Sequence, residues 1–201
     1  MTRVPIEYIG GDFFTLTGES LDDFLRQIET TISGKFAKEE ILETYFEHLR
    51  SNYDQKVRIF SDVKAGLEHL KAAGYRLGVV TNQKREFTVR GLELGQILPF
   101  FDTIVTLDDV KEGKPSPQPV IQAMVRIGAK PEETLMIGDS KYDVLAASAA
   151  KVKSAVLEWY GKADWKVVVP DYHFDNFLEF MHELATVKRQ SFWKAEVTLH
   201  G

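Results

Sequence analysis

The 201-residue chain contains no cysteine. Disulfides, thiolate zinc sites and thiol nucleophiles are therefore excluded for it. It also lacks an excess of basic charge: 25 Lys and Arg stand against 30 Asp and Glu, a formal net charge of −5. No block of Lys and Arg occurs, which argues against nucleic acid as a partner, because phosphate backbones are gripped by clustered cations. No apolar run is long enough to span a bilayer, and the opening "MTRVPIEYIGG" has neither the apolar stretch nor the cleavage pattern of a secretory signal. A cytoplasmic protein with no membrane partner is the expectation. Repeats and low-complexity linkers are absent too.

What is present is a soluble, globular composition, 44% apolar and 27% charged, in a chain long enough to bury a full core. Two textures divide it. From Ser20 to Tyr53 the pattern is helical only. Leu21, Phe24, Leu25, Ile28 and Ile32 share one face, with Ser20 as N-cap and Gly34 as the stop. Ile41, Leu42, Tyr45, Phe46 and Leu49 form a second stripe. From about Val57 helices alternate with short apolar runs. Helix Asp62–Ala73 leads into "YRLGVVTN", helix Glu86–Leu94 into "FDTIVTLDD", helix Pro117–Ile127 into "ETLMIGDS", and helix Val144–Ala150 into "KSAVLEWYG". A last run, "WKVVVPDY", precedes a helix over Phe174–Ala185, and the tail holds a candidate strand at Lys194–Leu199. Short apolar runs separated by helices predict a largely parallel sheet covered on both faces.

Ligands of such sheets sit at the carboxyl ends of the strands. Thr81 and Asn82 follow one run. Asp108, Asp109 and then Lys114 follow the next, and Asp139 follows a third, with Asp143 one helical turn on. Thr and Asn suit phosphate oxygens, and a lysine is a compact charge for the same anion. Asp139 and Asp143 are the hard oxygen donors that magnesium takes, as one or two carboxylates beside waters and substrate phosphate. Each feature taken singly has a plainer reading: Thr81-Asn82 as a helix cap, Lys114 as a loop lysine, Gly138-Asp139-Ser140 as a turn and cap. Their occurrence in order on one rim favours a phosphate site. Asp108 and Asp109 are read as turn and cap residues without partners.

The stretches "GYRLGVVTNQ", "FFDTIVTLDDVKEGKPSPQPVIQAM", "GAKPEETLMIGDSKYDVLAASAA" and "PDY" resemble the haloacid dehalogenase-like hydrolases, in particular their phosphoglycolate phosphatase-like branch with a helical cap. The resemblance runs from Val57 to Leu184 and, more loosely, over the helices before it. It implies an α/β fold, a Rossmann-like three-layer parallel sheet with an N-terminal helical cap. On that division residues 1–56 are the incomplete cap, 57–187 the core and 188–201 a tail. It further implies Mg²⁺ and hydrolysis of a small phosphorylated metabolite through an aspartyl-phosphate. Thr81 and Asn82 would hold the phosphoryl oxygens. Lys114 would be the catalytic cation, neutralising nucleophile and phosphate together. Asp139 would ligate the metal, with Asp143 either ligating it or orienting the site.

The chain departs from the family at one decisive place. The family opens with an apolar strand ending in Asp-x-Asp-Gly-Thr, whose first Asp is the nucleophile; this sequence contains no such motif. Asp12, in "IGGDFFTLTGES", lacks the second Asp and the leading strand, and reads as turn chemistry at the start of the cap. No nucleophile is assigned. In the family the absent strand is the central one, between the strands ending at Thr81 and Asp139, so an empty position in the sheet is expected. The tail at Lys194–Leu199, the segment "VPIEYI" or a second copy of the chain could fill it, the last making a homo-oligomer. A smaller departure is Lys151 where the family has Gly after Ala; at a left-handed helix end this would cost about 1 kcal/mol. Two function classes stay open: a phosphatase impaired by the absent nucleophile, and a non-catalytic phosphate- or metal-binding or interaction module on the same fold. A receiver-like switch domain, which also clusters Asp, Thr and Lys, fits "GKPSP" and the cap helices poorly.

Overall fold

A computed structural model of the chain describes residues 36–57, 61–159, 165 and 168–189. The helix expected around Leu21–Ile32, Asp12, "VPIEYI" and the strand expected at Lys194–Leu199 lie outside these residues. Helices α1 (Lys38–Lys56) and α2 (Ser61–Ala72) come first. The alternating part follows as β1 (Gly78–Val80), α3 (Arg85–Leu94), β2 (Thr103–Val105), α4 (Gln118–Ile127), β3 (Leu135–Gly138), α5 (Lys141–Ala149), β4 (Lys153–Leu157), β5 (Tyr172–Phe174) and α6 (Phe177–Arg189).

Every strand pair among the described residues is parallel, a pairing that requires a crossover connection between the strands. The run "KSAVL" is buried at its last four residues without alternation, the signature of a strand covered on both faces. One layer is built by α2 and α6: Leu67, Leu70, Phe177, Phe180 and Leu184 pack into one cluster with Leu157. The other is built by α4 and α5, where Val120, Met124, Ala146 and Ala147 pack together with Val152. Helix α4 buries Val120, Ala123 and Met124, one face at helical spacing, and ends at left-handed Gly128. The fold class is therefore the three-layer α/β arrangement that the sequence predicts.

The sheet is in two pieces. β1 pairs with β2, and β3 with β4 and β5, giving the order β2-β1 and then β3-β4-β5 with no ladder between β1 and β3. Between the two pieces lies a cavity of about 300 Å³, walled by Gly78 and Val80 on one edge and Leu135, Met136 and Ile137 on the other. Among the described residues no strand pairs with the edges of β1 and β3 that face this cavity.

Helix α1 lies on α3. Leu49 and Tyr53 share a buried cluster with Phe87, whose ring stacks on Phe46 at 6.0 Å. Two forked ion pairs flank this contact, Arg50 with Glu86 and Arg90 with Asp54. All four side chains are about half exposed, so the pairs add little beyond orientation. The stripe of apolar residues, not the charges, fixes α1 in place.

Three expectations need correction. The last helix starts at Phe177, not Phe174, and the strand β5, Tyr172–Phe174, begins only at the last residue of the run "WKVVVPDY" and takes in His173 and the expected first residue of the helix, Phe174. Asp109 is not a partnerless cap: its Oδ2 accepts from Arg85 at 2.5 Å and its Oδ1 from Arg126 at 2.9 Å. Asp108 accepts from the backbone N–H of Arg85 at 2.7 Å. Burial alone would raise the Asp109 carboxyl; the hydrogen bonds from Arg126, Thr106 and Arg85 overcome it and hold the group well below the usual carboxylate range. These contacts tie β2 to α3 and α4.

Lys151 keeps the left-handed geometry expected of a glycine, with φ of 61°. Its N–H bonds to Ser148 and that of Val152 to Ala147, the paired bonds of a Schellman end. Lys151→Gly should relieve about 1 kcal/mol of backbone strain. The expected result is a thermal midpoint about 2–4 °C higher by calorimetry. A midpoint that stays put or falls would show that the strained conformation costs nothing here.

Candidate active site

The rim where the two half-sheets end carries the candidate residues. Thr81 and Asn82 directly follow β1, and the backbone N–H of Thr81 still bonds to Val105 of β2 at 3.0 Å. The Thr81 hydroxyl accepts from the N–H of Gln83 at 3.1 Å, which turns the loop over the rim. Gln83 in turn accepts from the Tyr53 hydroxyl at 3.3 Å, linking α1 to this loop.

Asn82 spends its side chain on Lys114. Its Oδ1 accepts from the Lys114 N–H at 2.7 Å and its Nδ2 donates to the Lys114 carbonyl at 2.8 Å. This clamp needs Gly113: a Cβ there would meet Asn82 Oδ1 at 2.5 Å. Lys114 is buried, 8% exposed, an unusual place for an ammonium without partners. Its Nζ donates to Asp143 Oδ1 at 2.5 Å and to the Val80 carbonyl at 3.1 Å, the last carbonyl of β1.

Asp143 is buried as well and is fully engaged. Its Oδ2 accepts from Ser140 Oγ at 2.6 Å, from the Ser140 N–H at 3.0 Å and from the Asp139 N–H at 3.3 Å. Ser140 and Asp143 form the capping box that starts α5. Gly138 makes room, since a Cβ there would lie 2.3 Å from the Asp143 carboxyl carbon. Burial pushes the Asp143 carboxyl up, but the Lys114 ammonium and the Ser140 donors outweigh it, and the group stays below its ordinary value. It is an anion at neutral pH.

Asp139 is the contrasting carboxylate. It sits at the carboxyl end of β3, partly exposed. Burial raises its carboxyl first and the Asp143 anion second, and Lys114 only partly compensates, so the net direction is up. A carboxylate destabilised by burial and a like charge is stabilised by a cation placed against it. The donor chemistry fits magnesium, a hard ion that takes one or two carboxylates and keeps several waters. Among the described residues no cluster of three or more His, Asp or Glu side chains forms a ready-made metal cage.

The structure thus brings Lys114, Asn82, Asp139 and Asp143 into one connected group and puts Thr81 on the adjoining loop. Sequence reasoning missed Gly113; it read Gly138-Asp139-Ser140 only as a turn and cap, and Ser140 is that cap, but its bond to Asp143, signalled by the Ser-x-x-Asp pattern of Ser140-Lys141-Tyr142-Asp143, also makes it part of the site.

With this geometry known, comparison with other proteins places the chain. A family model described as haloacid dehalogenase-like hydrolase matches residues 7–157. The chain belongs to the haloacid dehalogenase-like hydrolases. A protein named pyrophosphatase PpaX, from Bacillus cereus (strain AH820), is 32% identical over 190 residues, covering 94% of this chain and 86% of that protein. The crystal structure of a phosphatase of the family from Thermococcus onnurineus is 26% identical with a TM-score of 0.60, over 84% of this chain and 70% of the other. That of a predicted phosphoglycolate phosphatase from Haemophilus somnus 129pt is 24% identical with a TM-score of 0.71, over 85% and 78%, and shows likeness of fold. Among the described residues no helix is long and apolar enough to cross a membrane.

Proposed function

We propose that this rim is the phosphate site of a magnesium-dependent phosphomonoester hydrolase acting on a small phosphorylated metabolite through an aspartyl-phosphate, and that this chain turns over weakly. The observation that carries the reading is the buried Lys114 ammonium, fixed by Asn82 and Asp143 at the junction of the two half-sheets. A buried cation held this rigidly costs no reorganisation when an anion arrives, which is what electrostatic stabilisation of a transferring phosphoryl group requires. The relatives support the phosphatase chemistry: one is called a pyrophosphatase and another a phosphatase of this family.

In this reading the Thr81 hydroxyl and the backbone N–H groups of its loop bind phosphoryl oxygens. Lys114 neutralises the anion. Asp139 holds the metal, and Asp143 orients Lys114 and the Ser140 turn. Magnesium, when bound, would neutralise charge on the phosphoryl oxygens. On the proposed division residues 1–56 belong to a cap and 57–187 to the hydrolytic core. The weak link is the nucleophile: the sequence has no Asp-x-Asp-Gly-Thr. Positioning groups without the attacking group leave only residual catalysis.

The test has two arms, run on the full chain with magnesium. Inorganic phosphate should raise the thermal midpoint in wild type and not in Thr81→Ala. Hydrolysis of an aryl phosphate should run far below about 1 s⁻¹, the low end of ordinary turnover. No phosphate-induced shift would refute the phosphate site. A rate of about 1 s⁻¹ or more would refute the weak-turnover claim and make Asp12 the first residue to replace.

A further inference from the structure

Gly91 stands inside α3, where glycine weakens a helix relative to alanine. A Cβ there would meet the Tyr53 hydroxyl at 2.8 Å. The next nearest atoms, Cζ and Cε1 of the same ring, would be at 3.6 and 3.7 Å, which are ordinary contacts. The hydroxyl alone therefore demands the glycine. Tyr53 is buried, with its ring 5.3 Å from that of Phe87, one turn before Gly91. Past Gly91 its hydroxyl reaches Gln83 Oε1 at 3.3 Å, just ahead of the amino end of α3. Burial pushes the phenol above its ordinary range, so it is the proton donor in this bond.

Gln83 joins three segments. Its side chain accepts from Tyr53 of α1. Its N–H donates to Thr81 Oγ1 at 3.1 Å, and its carbonyl accepts from the Leu107 N–H at 3.2 Å, where the loop after β2 begins. The bond from Gln83 occupies one lone pair of the Thr81 hydroxyl and so restricts its rotation. Among the described residues nothing accepts the hydrogen of that hydroxyl. It remains available to an incoming anion.

We propose that Tyr53 is a positioning residue for the phosphate loop: its hydroxyl, passing Gly91 to hold Gln83, couples the seating of α1 on α3 to the orientation of the Thr81 hydroxyl. The inference rests on the reading of this rim as a phosphate site. Tyr53 acts through Gln83 and not on the anion. The seating of α1 is fixed by Leu49, Tyr53 and Phe87 and oriented by the fork between Arg90 and Asp54, the residue next to Tyr53. Phosphate binding and docking of α1 are then linked in both directions. Phosphate that orders the loop favours the docked helix, and a displaced helix weakens phosphate binding. A packing role would need the ring of Tyr53 and not its hydroxyl, and would leave Gly91 without a reason.

Calorimetric titration of the full chain with inorganic phosphate in the presence of magnesium tests the proposal, together with amide exchange followed by NMR without phosphate. Tyr53→Phe keeps the ring and should weaken phosphate binding about fivefold, the scale of one neutral hydrogen bond. Gly91→Ala should weaken it similarly by pushing the hydroxyl aside, and should add nothing in the Tyr53→Phe background. Tyr53→Phe should also speed exchange of the Gln83 and Leu107 N–H groups about fivefold. A merely structural role would lower the thermal midpoint and leave the phosphate affinity of the folded protein as it is. Equal phosphate affinity in wild type and Tyr53→Phe overturns the inference and leaves the phosphate site standing. Additive losses in the double variant overturn the route through the hydroxyl. Unchanged exchange at Gln83 and Leu107 in Tyr53→Phe overturns the inference whatever phosphate does. No phosphate binding by wild type refutes the site itself and the inference with it.

Discussion

Replacing Lys114 by methionine should lower the thermal midpoint by roughly 10 °C. The substitution keeps most of the unbranched side chain, lacks the terminal nitrogen and removes its charge. Asp143 would then sit buried, with no ammonium at 2.5 Å and only the Ser140 and Asp139 donors left. Removing one partner of a buried pair costs about 3–5 kcal/mol, because the other charge stays behind without solvent. At about 2–4 °C per kcal/mol for a domain of this size, the loss is large. The Val80 carbonyl and the loop clamped by Asn82 lose an anchor as well. Lys114→Met combined with Asp143→Asn should recover more than half of the loss, since the double variant no longer buries an unpaired charge. A single-variant midpoint within about 2 °C of wild type would show that the pair is not a structural element.

The second large effect concerns Asp139. Calorimetric titration of the wild-type chain with Mg²⁺ should show weak binding, and Asp139→Asn should weaken it at least about tenfold. Asp143→Asn should weaken it less, because that carboxylate is already satisfied by Lys114 and Ser140. Equal magnesium affinity in wild type and Asp139→Asn would remove Asp139 from the metal site. So would a larger loss in the Asp143 variant, which would exchange the two roles.

Much of this architecture was legible in the sequence, for physical reasons. A helix that covers a sheet must repeat its apolar residues every three or four positions, as Val120, Ala123, Met124 and Ile127 do. A strand covered on both faces must be apolar throughout, as Ala155, Val156 and Leu157 are. The rim residues were legible because strand ends fall where apolar runs stop. The position of β5 was not: "WKVVV" is more apolar than Tyr172–Phe174, yet the latter sequence pairs with β4. Register there is fixed by contacts such as Asp171 accepting from the Ser154 N–H at 2.8 Å, which connects residues 17 apart. Asp109 was misjudged for the same reason. Its partners Arg85 and Arg126 lie 24 and 17 residues away, beyond the reach of any periodicity. The break between β1 and β3 came from the family resemblance and not from any local pattern.

The double employment of Asp143 bears on how descendants of such a chain would change. One carboxylate starts α5 and also neutralises the buried ammonium beside β1. A lineage that gave up hydrolysis would still be selected to keep Lys114, Ser140 and Asp143, since losing any one of them harms folding. Thr81 and Asp139 have lighter structural duties and would be free to drift. On the proposed roles, retention of the lysine–aspartate pair would record ancestry, whereas the state of Thr81 and Asp139 would record whether the chemistry is still under selection.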